Sequence, residues 1–267
     1  MMGTEQQRAV RDIEVAFTEN GNGDTVVMVH GLAEDQRSFA DLQNALSDFH
    51  TYAYSFRGHG DTSVGEADGS LQQLGEDLIA FLEEVSGPAR CIGYSLGGTV
   101  VLWAASRRPD LIQHVVIAGT STIVGRTAVG FFHDRIELIQ NEKPAFAKAL
   151  RSDTAAQILN ANVDVDAVTA TRLEAIGDGQ GYINAARAMI GVNEAPLTPE
   201  LETIDCPVDV IGGEGDVFCP RKAADIIMAE LKHGTYHEIK NAGHLISVDQ
   251  PDAYAETIKN ILHRRIQ

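Results

Sequence analysis

Cysteine is scarce: Cys91, Cys206 and Cys219 are the only three in 267 residues, and no two stand in a CxxC pair. An odd, scattered set builds neither a disulfide framework nor a thiolate metal site, so free thiols packed in or beside strands are expected. No apolar run approaches the ~20 residues of a membrane span. The start, Met1 to Arg11, is polar and lacks a signal-peptide core, which points to a cytoplasmic protein. Nothing matches a dinucleotide or P-loop fingerprint, and no His/Asp/Glu cluster has ligand spacing, so neither cofactor nor metal is expected. Lysine occurs only six times, and 38 acidic against 21 basic residues give a net charge of −17. Such a surface repels nucleic acid and anionic membranes, which leaves a small molecule as the expected partner and the oligomeric state open.

What is present is alternation. Asp12 to Glu19 alternates Ile13, Val15 and Phe17 with polar residues. The turn Asn20-Gly21-Asn22-Gly23-Asp24 then leads into Val26 to Val29, which predicts an opening antiparallel hairpin. Strand and helix patterns follow each other through Ser38–Leu46, Thr51–Ser55 and Leu71–Val85. This predicts an α/β fold with a mainly parallel, twisted sheet and helices on both faces. From Ser121 to Pro196 the alternation gives way to helical periodicity alone, with segments expected at 127–141, 144–151, 155–160, 165–176 and 181–190. Residues 1–120 and 197–267 are therefore expected to form the core, and 121–196 a helical cap inserted over its active edge. At this length one capped domain suffices.

The chemistry points to Gly93-Tyr94-Ser95-Leu96-Gly97, between an apolar strand run and a helix-forming run. Glycines two residues either side of a serine permit a sharp strand-to-helix turn that projects the hydroxyl from the sheet edge. An acid and a histidine, each on a loop after a strand, complete a triad in the order serine, acid, histidine. Asp216 follows the buried run Cys206–Gly213, with Glu214 as competitor, and His244 follows the run Thr235–Lys240. Asp249 stands too far past the histidine to be the acid. The hydrophobic strand ending in His30-Gly31-Leu32 suggests an oxyanion hole formed by the backbone amides of Leu32 and Leu96. His30 and His59, each beside glycine, are expected to be hydrogen-bonded structural residues.

These motifs, with Arg57-Gly58-His59-Gly60 and Gly243-His244, resemble those of a capped, single-domain α/β-hydrolase of the kind that includes carboxylesterases and enol-lactonases. Gly119-Thr120-Ser121 leading to His133-Asp134-Arg135-Ile136, and Ala242-Gly243-His244-Leu245 through Pro251, are most similar to 3-oxoadipate enol-lactonase relatives. The elbow departs from the common pattern in carrying Gly93-Tyr94 before the serine. The resemblance implies a serine hydrolase that cleaves a small ester or lactone through an acyl-enzyme without a cofactor. Alternatives are a perhydrolase of the haloperoxidase type, a C–C bond hydrolase, disfavoured by Leu245, and a receptor-like ligand-binding member. In the cap, Phe131, Arg135 and Arg187 are candidate substrate contacts. Arg135 occupies a position similar to an arginine of enol-lactonase-like relatives, which implies a guanidinium that clamps a substrate carboxylate.

Overall fold

The computed structural model describes residues 3–264, so Met1, Met2 and residues 265–267 of the expected core lie outside it. Eight strands form one sheet in the order β1-β2-β4-β3-β5-β6-β7-β8. They are β1 (Thr4–Val10), β2 (Ile13–Asn20), β3 (Thr25–Val29), β4 (His50–Tyr54), β5 (Ala89–Tyr94), β6 (Ile112–Ala118), β7 (Val208–Gly213) and β8 (Gly234–Ile239). β1 and β2, and β2 and β4, pair antiparallel; every later pair is parallel.

The hairpin expected between β2 and β3 does not form. β4 lies between them, and β2 instead turns back on β1, with Val10 opposite Ile13. Arg11 takes the left-handed φ of 54° that this short turn requires. β1 was invisible in the sequence because it is an edge strand. Six of its seven residues keep some exposure, and Val10 alone is buried, so no apolar alternation marks it.

β3 is buried on both faces, as a central parallel strand must be. Val27 and Val29 pack toward α2 (Leu71–Phe81), α3 (Leu96–Arg107) and α8 (Arg221–Glu230) in a cluster with Leu74, Val100 and Ile227. Val26 and Met28 face the other way, onto α1 (Ala40–Ala45) and α10 (Pro251–Leu262), with Leu42 and Ile258. Period-two side-chain direction thus divides one strand between two cores.

Between β6 and β7 lie α4 (Arg126–Asn141), α5 (Lys143–Ala156), α6 (Val165–Ile176) and α7 (Gln180–Glu194). Their apolar stripes form a third core around Ile139, Phe146, Leu150, Tyr182 and Ile183. The helix expected over 155–160 is absent. α5 runs on to Ala156, and the amides of Leu159 and Asn160 instead donate to the buried Asp249 carboxylate at 2.9–3.0 Å. The helical layer meets the sheet edge at Gly58 and Gly181, where a Cβ on Gly181 would come within 2.2 Å of the Gly58 carbonyl oxygen. The final short helix, α9 (Ile246–Asp249), follows the His244 loop.

Candidate active site

Because β5, β6, β7 and β8 run parallel, their carboxyl ends share one edge, and the loops after β5, β7 and β8 converge there. Ser95 joins β5 to α3 with φ 52° and ψ −118°, a conformation strained for a residue with a side chain. The neighbours permit it by having none: a Cβ at Gly97 would lie 2.1 Å from the Val29 carbonyl oxygen, and one at Gly93 2.5 Å from the Gly98 Cα.

The structure brings together three side chains that lie far apart in the chain. Ser95 Oγ is 3.1 Å from His244 Nε2, and His244 Nδ1 is 2.8 Å from Asp216 Oδ2. The second carboxylate oxygen, Oδ1, accepts the amides of Phe218 and Cys219 at 2.8 Å each. Burial works to raise the Asp216 carboxyl, but the hydrogen bond and charge of His244, with these two amides, outweigh it and hold its pKa below the ordinary value. Glu214 is exposed and bonds instead to Lys240 and the Asn241 amide.

The loop carrying Leu32 is set by the two histidines. His30 Nε2 accepts the Phe56 amide at 3.0 Å, so Nδ1 bears the proton and donates to the Gly31 carbonyl at 2.7 Å. Burial, then the neighbouring His59, push the His30 pKa well down, so the ring stays neutral. The trans peptide between Gly31 and Leu32 points its N–H opposite to its tethered C=O. His59 Nε2 donates to the next carbonyl, that of Leu32, at 2.9 Å. Leu32 and Leu96 both line the cavity that holds Ser95 and His244. The Leu96 amide opens α3, where helix amides have no intrahelical partner.

That cavity has a volume of about 450 Å³, within the range of small-ligand sites. Its walls are mainly apolar, from Val124, Phe131, Phe132, Leu150, Met189 and Phe218, with Ser95 and His244 at the sheet edge. Phe131 is thus part of the cavity wall. Arg135 and Arg187 do not line the cavity. The Arg135 guanidinium packs over Phe131 and is gripped by Asp153, with Nε and Nη2 at 2.6 and 2.7 Å, so its two-donor edge is already occupied. Arg187 is exposed on α7 and rests beside Gly69.

Polar cavity residues that the sequence reading did not single out include Glu34, Asp153, Gln157 and Arg172. Tyr94, the departure at the elbow, donates its hydroxyl to the His244 carbonyl at 2.9 Å and so positions the histidine backbone. Arg172 shares with Thr169 and Ile176 the buried face of α6, but the apolar residues of that helix are spread around it and form no stripe that would mark the position.

A doubly wound sheet with a serine elbow, an acid and a histidine at its carboxyl edge defines a hydrolase of the nucleophile-elbow class. A model of the alpha/beta hydrolase family matches residues 26–257, and the chain belongs to that family. It is 27% identical over 264 residues to 3-oxoadipate enol-lactonase 2 of Acinetobacter baylyi, covering 95% of each chain. The solved enol-lactonase of Burkholderia xenovorans LB400 superposes with a TM-score of 0.86 at 23% identity, covering 97% of this chain and all of that one. An esterase of Exiguobacterium antarcticum gives the same TM-score at 18% identity, over 98% and 100% of the two chains. The particular protein is thus an α/β-hydrolase by family, with the serine, acid and histidine of that class assembled at its sheet edge.

Proposed function

We propose that Ser95 is the nucleophile of a two-step acyl transfer, His244 its general base and Asp216 the group that orients the imidazole. The observation that carries this reading is the unbroken chain from Asp216 Oδ2 through both ring nitrogens to Ser95 Oγ, at 2.8 and 3.1 Å. With Nδ1–H donating to the carboxylate, Nε2 presents its lone pair to the serine hydroxyl. As Ser95 Oγ attacks the carbonyl carbon, the proton passes to Nε2, and the new oxyanion is held by the amides of Leu32 and Leu96. Collapse expels the alkoxide, which takes the proton from His244; in a lactone this alcohol stays tethered to the acyl group. Water, deprotonated by the same nitrogen, then releases the acid and regenerates Ser95.

The apolar cavity favours a small, largely hydrocarbon acyl group, and the enol-lactonase relatives favour a lactone within that class. A fluorophosphonate probe should label Ser95 alone, and Ser95→Ala should lose both labelling and hydrolysis of an aryl butyrate. Unchanged turnover in pure Ser95→Ala protein would refute the assignment.

A further inference from the structure

The helices over the site bring one buried cation to the cavity wall, and its charge has no carboxylate partner. Arg172 on α6 is 9% exposed and lines the same cavity as Ser95 and His244. Its Nη1 donates to Thr154 Oγ1 at 2.9 Å and to Gln157 Oε1 at 3.2 Å, both neutral acceptors. Nε is enclosed without a partner, and among the described residues Nη2 makes no hydrogen bond and no carboxylate oxygen lies within 4.0 Å of the guanidinium.

Other buried or half-buried arginines of this protein show what that edge does when it is satisfied. Arg57 grips Asp77 through Nε and Nη2 at 2.7 and 2.9 Å, and Arg135 grips Asp153 through the same pair of nitrogens. On Arg172 the same edge has no carboxylate: Nε is sealed off, and Nη2 is the unpaired N–H group that keeps accessible surface for a ligand. A buried guanidinium with unpaired N–H groups is costly, and in a ligand cavity the missing acceptor is one the ligand can bring.

We propose that Arg172 is a specificity-determining residue that binds a carboxylate of the substrate through Nη2, making the preferred substrate a small ester or lactone with a second, ionised carboxyl group. The inference deepens the reading of Ser95 as nucleophile and rests on it. Glu34 shares the cavity and accepts the Gly31 amide at 3.3 Å, but does not reach Arg172. An ionised Glu34 competes with a substrate carboxylate for the field of Arg172, so removing its charge should favour the acidic substrate.

The test compares an aryl glutarate half-ester with its neutral isostere, an aryl 5-methylhexanoate. The wild-type protein should prefer the acidic ester by ~10-fold or more in kcat/KM, the scale of one charge-assisted hydrogen bond. Arg172→Met should lower the acidic-to-neutral ratio by about the same factor, chiefly through KM, with Arg172→Lys intermediate because it keeps the charge and loses the guanidinium held by Thr154 and Gln157. Glu34→Gln should move the ratio the other way. A wild-type preference for the neutral ester, or a ratio unmoved in Arg172→Met, overturns the proposal. Calorimetric binding of the unreactive anilide glutaranilic acid to Ser95→Ala protein, expected and lost with Arg172→Met, reads the subsite without turnover. Failure of Ser95 labelling would strike the nucleophile assignment alone. Should Arg172→Met not fold, the wild-type ratio, anilide binding and Glu34→Gln still decide: no acidic preference and no anilide binding overturns the assignment.

Discussion

Replacing Asp216 with asparagine changes one atom and should remove nearly all activity, for a reason the hydrogen bonds specify. Oδ1 of Asp216 accepts two backbone amides at 2.8 Å each, while Oδ2 faces His244 Nδ1 at 2.8 Å. An asparagine has one acceptor oxygen, and two amide donors hold it more strongly than one imidazole. The new NH₂ group must then face Nδ1, which has to accept. The ring is driven into the tautomer protonated at Nε2, and Nε2–H points at Ser95 Oγ, where it cannot take a proton. In serine hydrolases of this logic the wrong tautomer lowers kcat by about 10⁴, or about 5.5 kcal/mol in the barrier. Folding should be little affected, since both amides keep their acceptor. Initial rates on an aryl butyrate, with fluorophosphonate labelling and a urea melt of the same preparation, measure the two effects separately. Glu214→Gln, at an exposed position outside the triad, should change kcat by less than about 3-fold, in line with small effects at surface sites. A loss below 10-fold in Asp216→Asn, or a larger loss in Glu214→Gln, would refute the reasoning.

Three further outcomes follow from the same contacts. Asp249→Ala leaves the amides of Gly243, Leu159 and Asn160 without their carboxylate and should destabilise the fold by about 2–4 kcal/mol in urea melts; a loss below 0.5 would mean water replaces it fully. Tyr94→Phe frees the His244 carbonyl and should cost about 1–3 kcal/mol with a few-fold fall in kcat, whereas unaltered stability and rate would deny the tyrosine its bracing role. The Arg57 hydrogen bond, with the Glu66 amide, holds the Asp12 carboxyl down at about 2, below its ordinary 3.8. Because the folded value is the lower one, this stabilisation is complete above the unfolded value and is lost as pH falls toward 2, so Asp12→Asn should flatten the decline in urea midpoint between pH 5 and 2. An identical decline in the variant would place the acid sensitivity elsewhere.

The sequence by itself determined the alternating architecture, the inserted helical stretch and the order of Ser95, Asp216 and His244. All three depend on local rules. Side-chain period distinguishes strand from helix, a glycine-flanked serine between strand and helix forms an elbow, and residues after consecutive parallel strands share an edge whatever packs around them. The partners of side chains and strands were decided only in the tertiary structure. Whether β2 would pair with β3 or with β1 and β4 depended on where the chain returned, and β1, an exposed edge, carried no apolar signal. Arg135 and Arg172 both stand on helices of the segment between β6 and β7. Asp153 comes from another helix to neutralise the first, while the second, among the described residues, hydrogen-bonds to Thr154 and Gln157 and borders the cavity. A guanidinium is a clamp or a strut according to whether a carboxylate from elsewhere in the fold reaches its open edge, and that distance is set only when the helices pack.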